Sequence, residues 1–356
     1  MQNIDRAVRW WLFIGVVMVF FQVVLGGITR LTDSGLSITD WAVIQGVLPP
    51  RTEAAWEEAF EAYKRAAAKQ YETVHRNMGL REFKRIYYWE YLHRLWARSM
   101  GLVFFIPFLF FLRKRKLPFF LMKRLGVVIF LASLAAVFGW IMVQSGLNND
   151  QRTWVSAYKL VVHLLIATTL YAYLFWTWGT AGLRRRENIG RATPVWFFIV
   201  LVLVFIQIAL GGLMAGMRAA LVFPFFPAVG GAYNLFALLQ QQAHSSISWE
   251  QFINYEPSIW IKALVQLLHR LTAWLLFALV FVAVWVNRRA IRAWRLNIHA
   301  GLLISMLMVQ ILLGIFTVTH SLGRVPLELG VLHQAGALLF LAALLYFLAN
   351  FLYVRE

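Results

Sequence analysis

The chain has 356 residues, 61% of them hydrophobic and 14% charged, with 34 Lys and Arg against 16 Asp and Glu and no cysteine. An ordinary soluble domain is about 45–50% apolar; here the excess falls in runs of roughly 20 residues, the length that crosses the hydrocarbon core of a bilayer. The missing cysteines exclude disulfides, iron–sulfur clusters, thiolate-held metals and covalent c-type haem. The basic excess sits at the ends of the apolar runs, where the positive-inside rule expects it, and so does not point to nucleic acid.

The first predicted span, 11–28, follows MQNIDRAVRW with no small-residue cleavage site, so it reads as a retained helix and not a signal peptide. No Arg- and Ser-rich transit segment precedes it, which favours a bacterial inner membrane over an organelle. The segment 29–87 is long and mixed in charge. Its stretch WEEAFEAYKRAAAKQYETVHR reads as a soluble helix with Glu-to-Lys pairing, serving either as cover or as substrate access.

The remaining spans are predicted at 88–112, 122–145, 157–179, 194–215, 259–286, 297–319 and 329–353. The connections alternate. RKRKLPFFLMKR after the second span, RRRENIGR after the fourth and NRRAIRAWR after the sixth are strongly basic. SGLNNDQRTWVSAYK is nearly neutral, and 216–258 carries one basic residue, Arg218. Basic loops on one side only, with an even number of spans, place both termini in the cytoplasm.

The two halves resemble each other. QVVLGGITR (22–30) recurs as QIALGGLMAG (207–216), YLHRLWARSMGL (91–102) as LLHRLTAWLLFA (267–278), and LVVHLLIA (160–167) as LGVLHQAGALL (329–339); VQSGL (143–147) is matched with VQILLGI (309–315). The expected fold is therefore an all-α polytopic membrane protein. Its eight transmembrane helices form two pseudo-symmetric four-helix bundles, residues 1–185 and 186–356, as in parallel repeats.

Of eight histidines, His93 matches His269 and His163 matches His333; His75, His244, His299 and His320 have no counterpart. Each half thus holds two imidazoles at similar depth on parallel helices, an arrangement that can ligate haem iron from both faces. A lone membrane histidine more often bonds a neighbouring helix, but four at matched positions favour haem. Structural zinc, which wants a closed tetrahedral shell, fits two histidines per bundle poorly. Gly26, Gly27, Gly211 and Gly212 allow close approach of either a macrocycle or a neighbouring helix.

The halves differ at one place of chemical weight. Glu90 stands three residues before His93, on the same helix face, whereas Gln266 stands three before His269. A carboxylate beside one haem only suggests chemistry in the first half and electron transfer in the second. The competing reading pairs Glu90 with Arg94 or Arg98. Arg94 and Arg270, which follow the histidines, suit haem propionates or snorkel outward; for Lys159 these readings are evenly balanced.

GGITRLTDSGLSITDW with GVLPP, then EYLHRLWARSMG, AYKLVVHL, LLHRLTAW and VLHQAGALL, resemble the haem A synthase family over essentially the whole chain. The resemblance implies oxidation of the C8 methyl of haem O to a formyl group by successive hydroxylations. It implies that His93 and His163 hold the haem O substrate, that His269 and His333 hold a haem b cofactor, and that Glu90 is catalytic. The partners it implies are the haem O-producing enzyme and an electron donor; a homo-oligomer is left open. Some members carry a cysteine pair in the first external loop, which this chain lacks, so any step through such a pair cannot operate here. The rival readings are a di-haem b-type electron-transfer cytochrome, which needs no Glu90, and an inverted-repeat transporter, whose site would lie at the midplane.

Overall fold

The computed structural model describes residues 4–40, 47–148, 152–186, 193–227, 240 and 249–354. His244 and the middle of the 216–258 segment lie outside these. In chain order the helices are α1 (Arg6–Leu31), α2 (Glu53–Ala66), α3 (Ala68–Val74), α4 (Leu80–Arg113), α5 (Phe119–Gln144), α6 (Ala157–Thr180), α7 (Val195–Gly216), α8 (Trp249–Ile253), α9 (Ile259–Val286), α10 (Arg288–Ala293), α11 (Asn297–Thr319) and α12 (Leu327–Leu352). Among the described residues the only strands are a short ribbon, β1 (Arg184–Arg185) antiparallel to β2 (Tyr353–Val354). Eight helices are long and apolar enough to cross a membrane: α1, α4, α5, α6, α7, α9, α11 and α12.

Local chemistry sets the helix starts. The Asp5 carboxylate accepts from Ala7 N at 2.8 Å and caps α1. Glu82 reaches back to Gly79 N at 3.1 Å and caps α4. Prolines precede α5, α7 and α12, where a missing N–H costs nothing because the first turn has no internal acceptor for it.

Four spans form the centre. α1, α6, α7 and α12 pack on one another, with α4 and α5 flanking on one side and α9 and α11 on the other. The same neighbours recur in each half: first span with second, third with fourth, and first with fourth. α12 is the most enclosed, with Leu341, Leu344, Phe347 and Phe351 all at 0% exposure.

The first and last described stretches lie at one end of this bundle. Asp5 pairs with Lys116 of the α4–α5 turn at 2.7 Å, and β2 at the chain's end pairs with β1 in the α6–α7 connection. The basic loops are therefore gathered at the end that carries the termini. At the opposite end α2 and α3 fold back on the extension of α4, burying Trp56, Phe60, Tyr63, Phe83 and Ile86 around Leu36 and Val155. The segment between the first two spans is thus a packed cap with its own apolar core.

Candidate functional site

A single cavity of about 1480 Å³ runs between the central helices and their flanks. That exceeds the roughly 300–1,000 Å³ of an ordinary ligand pocket. His93 on α4, His163 on α6, His269 on α9 and His333 on α12 all stand on its wall. These are the four histidines the repeat singled out.

Each imidazole lies against a glycine of the neighbouring helix. A Cβ on Gly26 would meet His93 Nε2 at 3.2 Å, and one on Gly211 would meet His269 Cε1 at 3.4 Å. One on Gly139 would meet His163 Cε1 at 3.0 Å, and one on Gly314 would meet His333 Cε1 at 2.9 Å. The second glycine of each pair has a different task. Gly212 lets α7 approach Val161 and Leu164 of α6, and Gly27 makes way for the Gln334 side chain. Of the four, Gly26 and Gly211 make room for imidazoles, while Gly27 and Gly212 make room for a neighbouring helix. The third-span pairing from sequence is displaced: Gly139 answers Gly314, so the match of 143–147 with 309–315 is out by about two and a half turns.

Glutamines surround the rings. Gln22 Nε2 lies 2.9 Å from His93 Nε2, and Gln207 Nε2 lies 3.4 Å from His269 Nε2 while donating to His269 O at 3.0 Å. Gln310 Nε2 lies 3.1 Å from His333 Nδ1. His163 Nδ1 donates to Ala135 O at 3.0 Å, which fixes the tautomer and leaves Nε2 with a bare lone pair able to bind a metal. Sequence reasoning missed these glutamines. The repeated Q-x-x-x-G-G at 22–27 and 207–212 was the signal that could have found two of them.

The donor set fits a haem. The His269 and His333 rings face each other with centroids 6.4 Å apart and planes at 83°. Two imidazoles on opposite sides of one metal ion, with bonds of about 2.0 Å, place their centroids about 6.3 Å apart. His269 Nδ1 and the side-chain oxygens of Gln22, Gln207 and Gln310 are buried with no hydrogen-bond partner, an unmet polar demand that native interiors seldom leave. Among the described residues no three His, Asp or Glu side chains converge, so a closed tetrahedral shell is not assembled.

Glu90 is 2% exposed yet reaches the cavity wall. Its Oε1 accepts from Arg94 at 2.6 Å, and its Oε2 accepts from Ser37 Oγ at 2.8 Å and Ile38 N at 2.9 Å. The pairing with Arg94 weighed from sequence is therefore present, together with a place beside His93. Gln266 instead donates to Phe223 O at 2.8 Å and does not line the cavity. Arg94 donates to Ile38 O and Asp40 O, each at 2.9 Å, and Arg270 donates to Phe223 O at 3.2 Å and Phe225 O at 2.7 Å. Both arginines are on the cavity wall and both clamp the loop that follows the first span of their half. Lys159 is exposed and away from the cavity.

The unmatched histidines stand apart from the paired ones. His75 bonds the Tyr63 hydroxyl at 2.7 Å, His299 packs on Tyr346 with centroids 5.1 Å apart, and His320 closes the end of α11 at the cavity mouth. At that mouth Arg30 donates to Ala215 O at 2.8 Å and Gly216 O at 3.1 Å. Asp33 there pairs with both Arg30 and Arg218, and Arg218 stacks 3.5 Å over Trp154.

The model of a family described as cytochrome oxidase assembly protein matches residues 9–345. Among curated proteins, the chain is similar to a heme A synthase of Parvibaculum lavamentivorans, 38% identical over 94% of this chain and 91% of the relative. It is also similar to one of Nitrosospira multiformis, 39% identical over 96% and 93%, and to one of Caulobacter sp., 40% identical over 95% and 94%.

Proposed function

The chain belongs to the cytochrome oxidase assembly family that includes the heme A synthases, and from that premise we propose that it is a membrane oxidoreductase converting haem O to haem A. The substrate's C8 methyl group becomes a formyl group by successive hydroxylations. His93 and His163 hold the substrate, and His269 and His333 hold a haem b cofactor. When bound there, haem b supplies one-electron transfer. The two halves are related as parallel repeats, and the end carrying the basic loops and both termini faces the cytoplasm of a bacterial inner membrane. The haem O-producing enzyme and an electron donor are its partners.

The observation that carries this reading is the inequality of two otherwise similar compartments. Glu90 brings a carboxylate to the cavity beside His93, while its counterpart Gln266 is turned to a loop carbonyl. A fixed carboxylate, held by Arg94, Ser37 and Ile38, stabilises positive charge developing on the oxidised substrate without reorganising. Its second oxygen is engaged by the loop, so it does not swing away. Arg94 and Arg270, on the cavity wall, would offer positive charge to the propionates of a bound haem. The apolar helices around the rings exclude bulk water and strengthen each of these interactions.

Mass measurement of haems extracted from cells making this protein with a source of haem O tests the reading. The intact protein yields haem A and a bis-histidine b-type spectrum. His269→Ala or His333→Ala depletes that spectrum. Glu90→Gln keeps it and abolishes haem A. Normal haem A from Glu90→Gln removes the catalytic assignment, and haem A absent from the intact protein leaves a plain di-haem cytochrome.

A further inference from the structure

The two compartments also differ where they face the bilayer. In the second half α9 and α11 pack against each other, whereas in the first half the equivalent α4 and α5, joined by the turn at 114–118, hardly meet. The cavity wall at this gap is made of small side chains: Ala97 on α4, and Ala132, Ser133 and Ala136 on α5. All four line the cavity and are exposed. A Cβ added to Gly101, on the α4 side, would meet nothing within 4 Å.

The register given by the histidines and their facing glycines identifies the counterparts. Leu307, Met308 and Ile311 stand where Ala132, Ser133 and Ala136 stand, and Phe277 stands where Gly101 does. Leu307 is 2% exposed, and Ile311 and Phe277 pack on the core. Bulky side chains fill in the second half the space that the first half leaves between its helices. At one end of the cavity Arg30, Asp33 and Arg218 stand on its wall, tied by ion pairs, with Arg218 over Trp154.

We propose that the gap between α4 and α5 is a lateral portal through which a flat, lipid-soluble porphyrin passes between the bilayer and the His93–His163 compartment. The second compartment lacks such a portal and retains its haem. This rests on the substrate assignment made above. A haem is apolar over both faces and dissolves in the hydrocarbon region, so a slot opening sideways lets it slide in edge-on without crossing water. Ala97, Gly101, Ala132 and Ala136 along the slot leave room for the macrocycle.

The test uses the purified full chain mixed with liposomes that carry haem O, with uptake followed by the absorbance of the bis-histidine complex. In Ala132→Leu/Ala136→Ile, uptake and release both slow about tenfold, a barrier increase of about 1.4 kcal/mol, while final occupancy and the second-compartment spectrum stay unchanged. Uptake at the original rate, or slowing matched by weaker binding, overturns the portal. His93→Ala separates the two ideas. If uptake does not depend on His93, the substrate assignment falls and the portal with it; if it does and the filled slot loads at the original rate, only the portal falls. Should the double variant lose its second-compartment spectrum, Met308→Ser/Ile311→Ala decides. Opening that wall speeds exchange of the second haem against isotope-labelled haem, and unchanged exchange counts against the proposal.

Discussion

A glycine opposite every imidazole means that ring position is set by the absence of a side chain. At Gly314 even a Cβ would meet His333 Cε1 at 2.9 Å, below ordinary carbon contact, so the ring must turn. Gly314→Val should therefore shift or abolish the bis-histidine spectrum while the protein still inserts. Gly301, on the same helix, has open space at its Cβ position, and Gly301→Val should leave the spectrum intact. Absorption spectra of the two purified variants check both outcomes. The histidines themselves were legible in the sequence because LHRL recurs around His93 and His269 and V-x-H at His163 and His333, and Glu90 because it breaks the repeat. Gly139 and Gln310 were not. Their surroundings are runs of Leu, Val and Ala in which any short match is degenerate, so the third spans could be aligned only once the rings they touch were located. Arg94 and Arg270 were recognised as special, but their clamp on loop carbonyls depends on where Ile38, Asp40, Phe223 and Phe225 fold back, which no local pattern states.

At the level of elements, the hydropathy runs located all eight spans but not all their ends. α1 begins at Arg6, before the predicted 11, because Asp5 caps it and Arg6 and Arg9 ride on the polar side of an already formed helix. α4 begins at Leu80 and not near 88, since its first two turns leave the apolar run and are held by the cap through Phe83 and Ile86. The single external helix expected over 56–76 breaks at Ala67, which takes φ −117° and ψ 40° and separates α2 from α3. That cap carries a pH response. Burial holds the His75 imidazole below its ordinary value of 6.5, with Arg218 acting the same way and Asp33 opposing. A folded pKa below the unfolded one means the unfolded segment binds more protons, so cap stability is full above about pH 6.5 and declines as pH falls through that value toward the lowered one. Amide protection factors over 53–75, taken as exchange rates against the intrinsic rate at each pH, should fall between pH 7 and pH 5. His75→Gln, which cannot take up the proton, should flatten the profile; an unchanged profile in that variant would assign the response elsewhere.

On the scale of the whole molecule, the halves are tied by a few polar contacts laid over extensive apolar packing. Arg30 at the end of α1 donates to two carbonyls of α7, and Gln334 on α12 donates to Val23 O of α1 at 2.8 Å. Arg30→Ala removes charge-assisted bonds worth about 1.5–3 kcal/mol and leaves Asp33 to Arg218 alone. The thermal midpoint followed by haem absorbance should drop by several degrees, with the spectrum at low temperature unchanged. A spectrum altered before melting would instead place Arg30 in direct support of a ring.

The gathering of both chain ends with the basic loops has a consequence for ancestry. Four crossings return the polypeptide to the face it left, so a tandem copy of such a unit is inserted the same way up as its parent, and every ligand stays at its original depth. A three- or five-span precursor copied head to tail would have been turned over, and its histidines would have gone to the opposite leaflet. An even span number in each half would let duplication place two compartments side by side, and on the function proposed above these could then differ in task by exchanging one carboxylate for an amide.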